Sequence, residues 1–293
     1  MFGGKDVVSP HPPPAYQNHR ISVIVPALNE AENLPHVLPL IPHWVDEVIL
    51  VDGNSVDDTV AVARKLLPSI RVVTQQRRGK GAALQSGFAA ATGDIIVMLD
   101  ADGSTDPREI PAYIGPLLSG ADFAKGSRFL QGGGTADMSL HRRLGNLGFV
   151  YMVRIFFGGQ YTDLCYGYNA FWKRVLPVLS LSGDGFEIET VMNVRALRAK
   201  LKIAEVPSFE APRVHGEGRL RTFPDGWRVL KAIMHERRTP FVSGVAQSKS
   251  VGEDVVVANT AIGHTAMQQP KDDSVAVAVL STRGQAAVSP EAD

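Results

Sequence analysis

Four short runs of Val and Ile, separated by segments with helical character, constrain the fold of this chain more than any other feature. The runs are ISVIVPA, EVILVDG, IRVVTQ and DIIVMLDAD, and all lie within residues 21–102. The segments between them, Glu30–Leu40, Asp57–Leu67 and Gly79–Ala91, are predicted as helices. Strands that are apolar on both faces and alternate with helices are typical of a parallel sheet covered on both sides. The pattern therefore predicts an α/β layered domain.

The whole chain divides into three predicted parts. Residues 1–19 are predicted as a flexible leader, because prolines interrupt them repeatedly. Residues 20–240 are predicted as the folded domain. Residues 241–293 are predicted as a disordered tail, because they are small, polar and without a sustained period. Within the domain the sequence predicts four further segments, namely a mobile loop in QGGGTADMS, a helix at Gly185–Lys200, a strand in KIAEVPS and a helix at Pro224–Glu236.

The composition excludes several classes of protein. The 293 residues carry 30 basic and 30 acidic side chains, so no basic excess indicates binding to nucleic acid. The N-terminal residues lack the apolar core of a signal peptide, and no apolar run reaches the roughly 18 residues of a membrane-spanning helix. Cys165 is the only cysteine, which rules out an intrachain disulfide and agrees with a reducing compartment. We therefore predict a cytoplasmic protein.

One apolar segment leaves a membrane contact open. LGFVYMVRIFFGG, Leu147–Gly159, is too short to span a bilayer and contains Arg154. It is interpreted as a buried helix, with a helix lying at a membrane surface as the alternative. In the second case the protein would be peripheral to the inner face of the membrane.

Polar side chains follow three of the predicted strands. Asn29 and Glu30 follow the first, Asp52 ends the second, and Asp100 and Asp102 follow the fourth. Ligands of open α/β sheets bind beyond the carboxyl ends of the strands. Two aspartates that are two positions apart in an extended segment lie on the same side of it, about 7 Å apart. Their negative charges repel unless a cation lies nearby. Mg²⁺ and Mn²⁺ prefer oxygen ligands of this kind. Taken alone, the pair is more typical of a polar turn that caps the next helix.

Two phosphate-binding motifs are excluded. As a P-loop, RRGKGAALQSG would need glycine at position 74 and Ser or Thr after Lys80, and it has Thr74 and Gly81. The dinucleotide fingerprint would need a third glycine where Leu84 stands. The sequence therefore predicts neither nucleoside triphosphate hydrolysis nor nicotinamide binding.

Three motifs in order along the chain carry a resemblance to a known family. PALNEAENL ends the first strand, VDGNSVDDT ends the second, and RGKGAALQSGFAAATGDIIVMLDADGSTDP follows. Together they resemble the inverting family 2 glycosyltransferases over Ile21–Phe129. Within this family, the chain looks most like the dolichol- or polyprenyl-phosphate mannose and glucose synthase branch. The segments that carry this likeness are AKGSRF, TDLCYGYNAFWKRVL, GFEIETVMNVRALRAKLKIAEVPS and GEGRLRTFPDGWRVLKAIM. The resemblance implies the GT-A (nucleotide-diphospho-sugar transferase) fold, which is Rossmann-like with a mainly parallel central sheet.

The resemblance also implies a nucleotide-diphospho-sugar as the donor substrate. It assigns eight residues to this donor, namely Pro26, Asn29, Glu30, Asp52, Gly79, Lys80, Gly81 and Asp100. Asp52 would contact the base, and Lys80 with its two flanking glycines would lie close to the ribose and diphosphate. Structural alternatives stay open: Pro26 can simply end a strand, Asp52 can be a turn residue, and Lys80 can be a solvated residue at a helix start.

The resemblance places a divalent cation, Mg²⁺ or Mn²⁺, on Asp100 and Asp102. Ser104 stands where many of the lipid-phosphate enzymes have glutamine, so a third metal contact is not implied. Arg128 and Asp163 are the predicted catalytic residues: Arg128 would meet an acceptor or donor phosphate, and Asp163 would lie near the reacting sugar. The alternatives are an Arg128 paired with a structural carboxylate and an Asp163 that is an ordinary loop residue.

The predicted reaction is a single displacement that moves a hexose from a UDP- or GDP-linked sugar and inverts its anomeric configuration. An anionic acceptor, such as polyprenyl phosphate, needs basic residues to position it. A hydroxyl acceptor needs a carboxylate base instead, and Asp163 is then the leading candidate. The basic candidates for a phosphate acceptor are Arg128, Arg142, Arg143, Arg219 and Arg221.

Three alternative functions are weighed against this one. The first is transfer to a soluble hydroxyl acceptor, a saccharide or a small metabolite. The second is an inactive sugar-nucleotide-binding module, against which Asp52, Asp100 and Asp102 argue. The third is a nucleotidyltransferase that makes the sugar nucleotide, but its glycine-rich first loop is missing after VIVPALNE. The oligomeric state is left open.

Overall fold

The computed structural model describes residues 16, 18–136, 138–218 and 222–241. Almost all of the predicted leader and tail therefore lies outside the described residues. Two residues of the predicted leader are packed: the Tyr16 ring centroid lies 5.2 Å from that of Trp44, and the His19 ring centroid 4.8 Å from that of Trp172. The packed part of the chain thus begins before Arg20.

A seven-stranded sheet forms the centre of the described chain, and a separate sheet has two strands. In chain order the strands are β1 (Ile21–Ala27), β2 (Glu47–Asp52), β3 (Arg71–Thr74), β4 (Ile95–Met98), β5 (Phe123–Ser127), β6 (Gly134–Thr135), β7 (Asn169–Trp172), β8 (Ile203–Pro207) and β9 (Phe209–Glu210). The order across the main sheet is β3-β2-β1-β4-β7-β5-β8, and β6 pairs with β9. In the main sheet, β7 is antiparallel to β4 and β5, and the other pairs are parallel. The sheet confirms the predicted fold class.

The helices pack around this sheet. In chain order the α-helices of the described residues are α1 (Thr59–Leu66), α2 (Lys80–Ala90), α3 (Ile110–Leu118), α4 (Leu140–Phe157), α5 (Leu176–Leu179), α6 (Ile188–Arg198) and α7 (Thr222–Arg238). Short 3₁₀ turns lie at Leu34–His36, Leu38–Leu40, Pro107–Glu109 and Lys173–Val175. Helices α1, α2, α6 and α7 and strand β8 confirm the segments predicted at those places.

Side chains of the central strands alternate between two apolar layers. In β1, Val23 and Val25 face one layer, and Ile24 faces the other. Helix α3 contributes Ile114 to the first layer, and α2 contributes Phe88 to the second. Because successive residues of a strand point to opposite faces, a sheet covered on both sides needs apolar residues at every position. This requirement explains the unbroken runs of Val and Ile.

The helix predicted at Glu30–Leu40 is wrong. Two 3₁₀ turns, Leu34–His36 and Leu38–Leu40, occupy this segment. Each turn contains a proline in its first positions, Pro35 or Pro39, and proline lacks the N–H group that a continuous helix needs. Both turns still bury their first leucine against the core, which explains the helix-like spacing of the apolar residues.

The loop predicted in QGGGTADMS is ordered in part by a tertiary contact. Gly134–Thr135 form β6, which pairs in parallel with β9. A Cβ atom at Gly133 would lie 2.6 Å from the Ser127 carbonyl oxygen, so the chain passes too close to the end of β5 for a larger residue. The prediction of a mobile loop is therefore wrong for these positions.

Helix α4 has a buried side and an exposed apolar side. Val150 and Val153 belong to a third apolar cluster, together with residues of α6 and α7. Leu147, on the opposite side, is 62% exposed. The two interpretations of Leu147–Gly159, a buried helix and a surface helix, therefore each describe one side of α4. Among the described residues, no helix combines the length and the apolar character needed to cross a bilayer.

The carboxyl ends of the parallel strands lie at one edge of the main sheet. The loops that follow β1, β2 and β4 all begin at this edge. Because β7 is antiparallel to β4, the segment that precedes β7 reaches the same edge. The residues that follow β5 and β8 also lie there. Segments far apart in sequence are thereby brought together.

Candidate active site

Side chains tie the loop after β1 to the loop after β2. Asn29 accepts a hydrogen bond at its Oδ1 from the Val56 N–H (2.8 Å). Its backbone φ is 52°, a left-handed conformation that asparagine tolerates better than most residues do. The Ser55 hydroxyl accepts one from the Asn29 N–H (3.0 Å). Asp52 Oδ1 accepts one from the Ser55 N–H (3.2 Å), which is the turn role weighed as an alternative. Contact of Asn29 and Asp52 with a nucleotide stays a prediction.

Gly79 and Gly81 let the start of α2 lie against the backbone of residues 183–185. Gly79 has a φ of +116°, and a Cβ atom there would lie 2.0 Å from the Asp184 carbonyl oxygen. A Cβ atom at Gly81 would lie 2.6 Å from the Gly183 carbonyl oxygen. Both glycines are therefore required for packing, whereas their closeness to a ribose and diphosphate stays a prediction.

We expect Gly79→Ala to lower the free energy of unfolding by more than about 1–2 kcal/mol. Alanine at a positive φ costs about that much before the clash with Asp184 is added. Gly115→Ala is the matched control, because a Cβ atom at this position inside α3 meets no atom within 4 Å. Alanine there should stabilise the helix by about 0.5–1 kcal/mol. Thermal unfolding followed by circular dichroism measures both, and a Gly79→Ala variant as stable as the parent would contradict the packing.

Lys80 links two carboxylates at the carboxyl edge of the sheet. Its Nζ lies 2.7 Å from Asp100 Oδ1 and 2.7 Å from Glu189 Oε1. Although burial opposes the shift, these two carboxylates raise the pKa of Lys80 above its usual range. Burial, with the negative charges of Asp102 and Glu189, raises the pKa of Asp100 to about 6 even though Lys80 lies beside it. Burial is thus the main reason why the charged form of Asp100 is disfavoured.

Asp102 is held by its own turn and by an arginine. Its Oδ1 accepts hydrogen bonds from the Ser104 N–H (3.0 Å) and hydroxyl (2.7 Å). Its Oδ2 lies 3.3 Å from Arg213 Nη1, while Arg213 Nη2 lies 2.5 Å from Glu30 Oε2. The polar-turn interpretation therefore accounts for one oxygen of Asp102, and the other oxygen faces the charged groups of the site. Ser104 supports Asp102 in this arrangement.

The acids of this region fit a divalent cation. In the described chain, four carboxylates face two basic side chains here, so this group carries a formal charge of −2. The group consists of Glu30, Asp100, Asp102 and Glu189 with Lys80 and Arg213. Among the described residues, no three His, Cys, Asp or Glu side chains already form a cluster that could hold a metal. That a metal would be held by Asp100 and Asp102 together with the diphosphate of a bound nucleotide, as is common for Mg²⁺, stays a prediction.

Arg128 and Asp163 form a buried ion pair. Arg128 Nε and Nη2 donate to Asp163 Oδ2 and Oδ1 (2.6 and 2.9 Å), and Arg128 Nη1 lies 3.0 Å from Glu210 Oε2. Burial alone would raise the pKa of Asp163, but its hydrogen bonds with Arg128 hold that pKa below its usual value.

This pairing changes the interpretation of both predicted catalytic residues. Asp163 is 0% exposed and both of its oxygens accept from Arg128, so it is not placed to take a proton from an acceptor hydroxyl. The geometry therefore argues against Asp163 as a general base and gives it the role of orienting Arg128. The structure shows the alternative in which Arg128 pairs with a structural carboxylate. Contact of Arg128 with a phosphate stays a prediction.

Two further titratable groups lie beside this pair. Lys125 is fully buried, and its Nζ donates to the carbonyl oxygens of Gly126 (2.6 Å) and Tyr166 (3.0 Å). Burial lowers the pKa of Lys125. Burial raises the pKa of Cys165 to about 12, which makes this thiol a poor nucleophile at neutral pH. Lys125 thus joins the end of β5 to the loop before β7.

A polar cavity of about 530 Å³ lies at this edge of the sheet, a size typical of ligand pockets. Seven of the predicted site residues line it: Pro26, Glu30, Gly79, Lys80, Asp100, Asp102 and Arg128. The other four predicted residues, all described, are not among its lining side chains: Asn29, Asp52, Gly81 and Asp163. These four support the loops and the ion pair that shape the cavity.

A second, mostly apolar cavity of about 370 Å³ adjoins the first. It lies between α4, α6 and α7, and Phe149, Trp227 and Val229 are among its walls. Arg128 and Arg142 line both cavities. The two cavities therefore share a wall that contains both arginines and Glu189.

The other basic candidates have different positions. Arg143 is exposed on α4, and its guanidinium carbon lies 5.5 Å from the centroid of the Phe129 ring. Arg219 and Arg221 lie outside the described residues. Among these candidates, the structure therefore places Arg128 and Arg142 at the cavities.

The sequence does not single out two residues of the site, Arg213 and Gly167, and it leaves a third, Glu189, open between a functional role and a favourable helix start. Arg213 follows β9 and meets Glu30 across 183 positions of sequence. Glu189 lies in the first turn of α6, where acids are favoured whatever their function. A Cβ atom at Gly167 would lie 3.1 Å from Asp100 Oδ2, so the backbone passes close to this carboxylate. In the sequence, the only sign of this close approach is that position 167, within TDLCYGYNAF, is a glycine, and this is a weak signal.

The mainly parallel sheet with two aspartates at its carboxyl edge, facing a polar cavity, agrees with the GT-A (nucleotide-diphospho-sugar transferase) class of folds. The sequence model of glycosyl transferase family 2 matches residues 22–178, more than half of the chain. The chain belongs to this family, which confirms the resemblance.

Several known proteins are similar to the chain. Dolichol-phosphate mannosyltransferase of Pyrococcus furiosus is 31% identical over 211 residues, which cover 69% of this chain and 59% of that protein. The low-salt glycan biosynthesis hexosyltransferase Agl6 of Haloferax volcanii is 29% identical over 224 residues, which cover 73% and 53%. The chain thus spans little more than half the length of these relatives.

A solved structure shares the fold. Glucosyl-3-phosphoglycerate synthase from Mycobacterium tuberculosis, in complex with Mn²⁺, UDP and glucosyl-3-phosphoglycerate, matches with a TM-score of 0.62 and 26% identity. The match covers 78% of this chain and 87% of that one. That relative therefore combines this fold with a divalent cation and a uridine nucleotide.

Proposed function

We propose that the chain transfers a hexose from a UDP- or GDP-linked sugar to a lipid phosphate. The observation that carries the proposal is the apolar cavity that shares Arg128 and Arg142 with the polar cavity. The polar cavity offers carboxylates and cations suited to a metal and a diphosphate. Arg142 suits an acceptor phosphate, beside an Arg128 that is already paired with Asp163 and Glu210, and the apolar cavity suits a prenyl chain. The similarity to a dolichol-phosphate mannosyltransferase supports this assignment.

In the proposed reaction, a phosphate oxygen of the acceptor attacks the anomeric carbon of the sugar. The bond from that carbon to the donor diphosphate breaks on the opposite side, so the configuration inverts and the nucleoside diphosphate leaves. Lys80 and Arg213 supply positive charge near the leaving group. A divalent cation bound by Asp100 and Asp102 would neutralise the same developing charge. An anionic acceptor needs no base, which agrees with the occupied oxygens of Asp163.

A panel of donors and acceptors tests this proposal. The full chain is incubated with UDP- and GDP-hexoses and Mn²⁺, and with a short prenyl phosphate, the matching prenyl alcohol or 3-phosphoglycerate. We expect product with the prenyl phosphate and none with the alcohol. Product with the alcohol or 3-phosphoglycerate alone would overturn the lipid-phosphate assignment. The 3-phosphoglycerate arm is included because of the similarity to glucosyl-3-phosphoglycerate synthase.

Filling the apolar cavity should weaken binding of the acceptor selectively. Gly145 lines this cavity and a Cβ atom there meets no atom within 4 Å, so Gly145→Leu should extend into it. Each methylene of the acceptor that loses burial costs about 0.8 kcal/mol, so we expect KM for the prenyl phosphate to rise roughly tenfold. KM for the donor should stay unchanged. Gly148→Leu is the matched control, because Gly148 is exposed on the same helix and a Cβ atom there also meets no atom within 4 Å. An equal rise in KM for the prenyl phosphate in both variants would contradict the assignment of the cavity.

A further inference from the structure

One side of α4 is an exposed apolar stripe. It consists of Leu140, Leu144, Leu147, Tyr151 and Ile155, each between 59% and 72% exposed. Residues spaced by three and four positions lie on one side of a helix. The opposite side of α4 is buried in the cluster that α6 and α7 share. The stripe therefore points away from the body of the protein.

Helix α7 extends this apolar surface. Phe223 is 84% exposed and Trp227, one turn later, is 58% exposed, whereas Val229 and Ile233 on the other side are buried. Both aromatic residues also line the apolar cavity. The Phe223 ring centroid lies 6.4 Å from that of His141 at the start of α4, so the two helices adjoin there. We call the stripe of α4 together with Phe223 and Trp227 the α4–α7 outer surface.

The charged groups around this surface are basic. Helix α4 contains three arginines, Arg142, Arg143 and Arg154, and no acidic residue. On α7, Glu236 is buried and paired with Arg195 and Arg198, and Asp225 is buried and paired with the exposed Arg228. The other exposed charged residues of Thr222–Arg238 are Lys231, Arg237 and Arg238. The surface thus combines apolar side chains with an unbalanced positive charge.

Two contacts show how the basic side chains lie along aromatic rings. Lys231 Nζ lies 5.6 Å from the Trp227 ring, and the Arg237 guanidinium lies 4.1 Å from the Phe156 ring. Long basic side chains that cover aromatic surface and end in a charge suit the boundary between acyl chains and headgroups. A second copy of the chain would bring like charges together and is disfavoured on this ground.

We propose that the α4–α7 outer surface docks on an anionic lipid bilayer, with the stripe at the headgroup boundary and the basic residues on anionic headgroups. The apolar cavity, lined by Phe223 and Trp227, then faces the bilayer. This rests on the proposed function in one respect: the prenyl chain of the acceptor enters the cavity from the membrane. Lipid binding itself does not depend on which sugar or acceptor is used.

Sedimentation of the full chain with vesicles tests the docking. We expect binding to vesicles of phosphatidylcholine with phosphatidylglycerol, weaker binding to phosphatidylcholine alone, and loss of binding as salt is raised. The double variant Leu147→Glu, Ile155→Glu should bind at least about tenfold more weakly, because two charges replace two apolar contacts. Arg143→Glu should also weaken binding, whereas the matched reversal Arg64→Glu on α1 should not. Equal effects of the two reversals, or no binding by the parent protein, would overturn the proposal.

Transfer assays separate this proposal from the proposed function. Acceptor embedded in vesicles is compared with a short prenyl phosphate in vesicle-free buffer. The double variant should lose at least about tenfold more activity on the embedded acceptor than on the free one. Vesicle binding without transfer to any prenyl phosphate would remove the proposed function and leave the docking surface standing. Concentration-dependent dimers that the double variant abolishes, with no vesicle binding, would assign the surface to a second copy and overturn the proposal.

Discussion

Replacing Asp102 by asparagine is expected to lower sugar transfer by roughly a thousandfold while the protein stays folded. A divalent cation contributes several kcal/mol of charge stabilisation at a leaving diphosphate, and a neutral amide holds such a cation poorly. Asparagine retains an oxygen that can accept the hydrogen bonds from Ser104, so the turn should persist. The measurement is the rate of nucleoside diphosphate release at several Mn²⁺ concentrations, with circular dichroism to establish folding.

The matched control for this prediction is Asp122→Asn. Asp122 also pairs with an arginine, Arg174 at 3.1 Å, but it precedes β5 and therefore lies at the opposite edge of the sheet. We expect its variant to keep the parent rate and the parent dependence on Mn²⁺. Full activity of Asp102→Asn, or an equal loss in both variants, would exclude a metal site at Asp102.

Asp163→Asn is expected to have the largest effect on stability. Asparagine cannot balance the charge of Arg128, and breaking a buried ion pair from one side costs about 3–5 kcal/mol. The remaining partner of Arg128, Glu210, is more exposed than Asp163 and should compensate only in part. Urea unfolding of the variant and its parent measures the loss. Asp122→Asn again serves as control, because an exposed pair contributes about 0–1 kcal/mol.

The same variant distinguishes two roles of Asp163 in transfer. If Asp163 orients Arg128, activity should fall by the same factor with a phosphate acceptor and with any hydroxyl acceptor that the enzyme uses. If Asp163 were a general base, the loss would be much larger with the hydroxyl acceptor. Assays below the unfolding temperature of the variant, with both acceptors, separate these outcomes. The closed geometry of the pair leads us to expect equal losses.

The central strands could be predicted because a single local rule governs them. A strand buried on both faces requires apolar residues at every position, and ISVIVPA or EVILVDG satisfies this rule without reference to the rest of the chain. The polar residues that end these runs then mark the carboxyl edge. Asp100 and Asp102 were within reach of this reasoning, whereas Lys80 was assigned by the family resemblance, and all three line the polar cavity.

Predictions failed where a local signal competed with an unseen contact. The apolar spacing of Glu30–Leu40 suits a helix, but its prolines interrupt the backbone hydrogen bonds and leave two 3₁₀ turns. Gly134–Thr135 have low intrinsic order, yet pairing with β9 makes them a strand. The role of Asp163 stays a prediction, because the structure shows only that Arg128, just after β5, donates to both of its oxygens.

The sequence by itself determined the layered α/β architecture and the edge of the sheet that carries the candidate site, because periodicity and strand-end chemistry are local properties. Its ordered motifs identified the family. Only the tertiary structure decided which charges meet: Arg213 with Glu30 and Asp102, and Glu189 with Lys80. It also decided that one side of α4 is core while the other is an exposed apolar stripe. Ion pairs and exposure depend on distances between segments far apart in the chain, and the folded packing alone sets those distances.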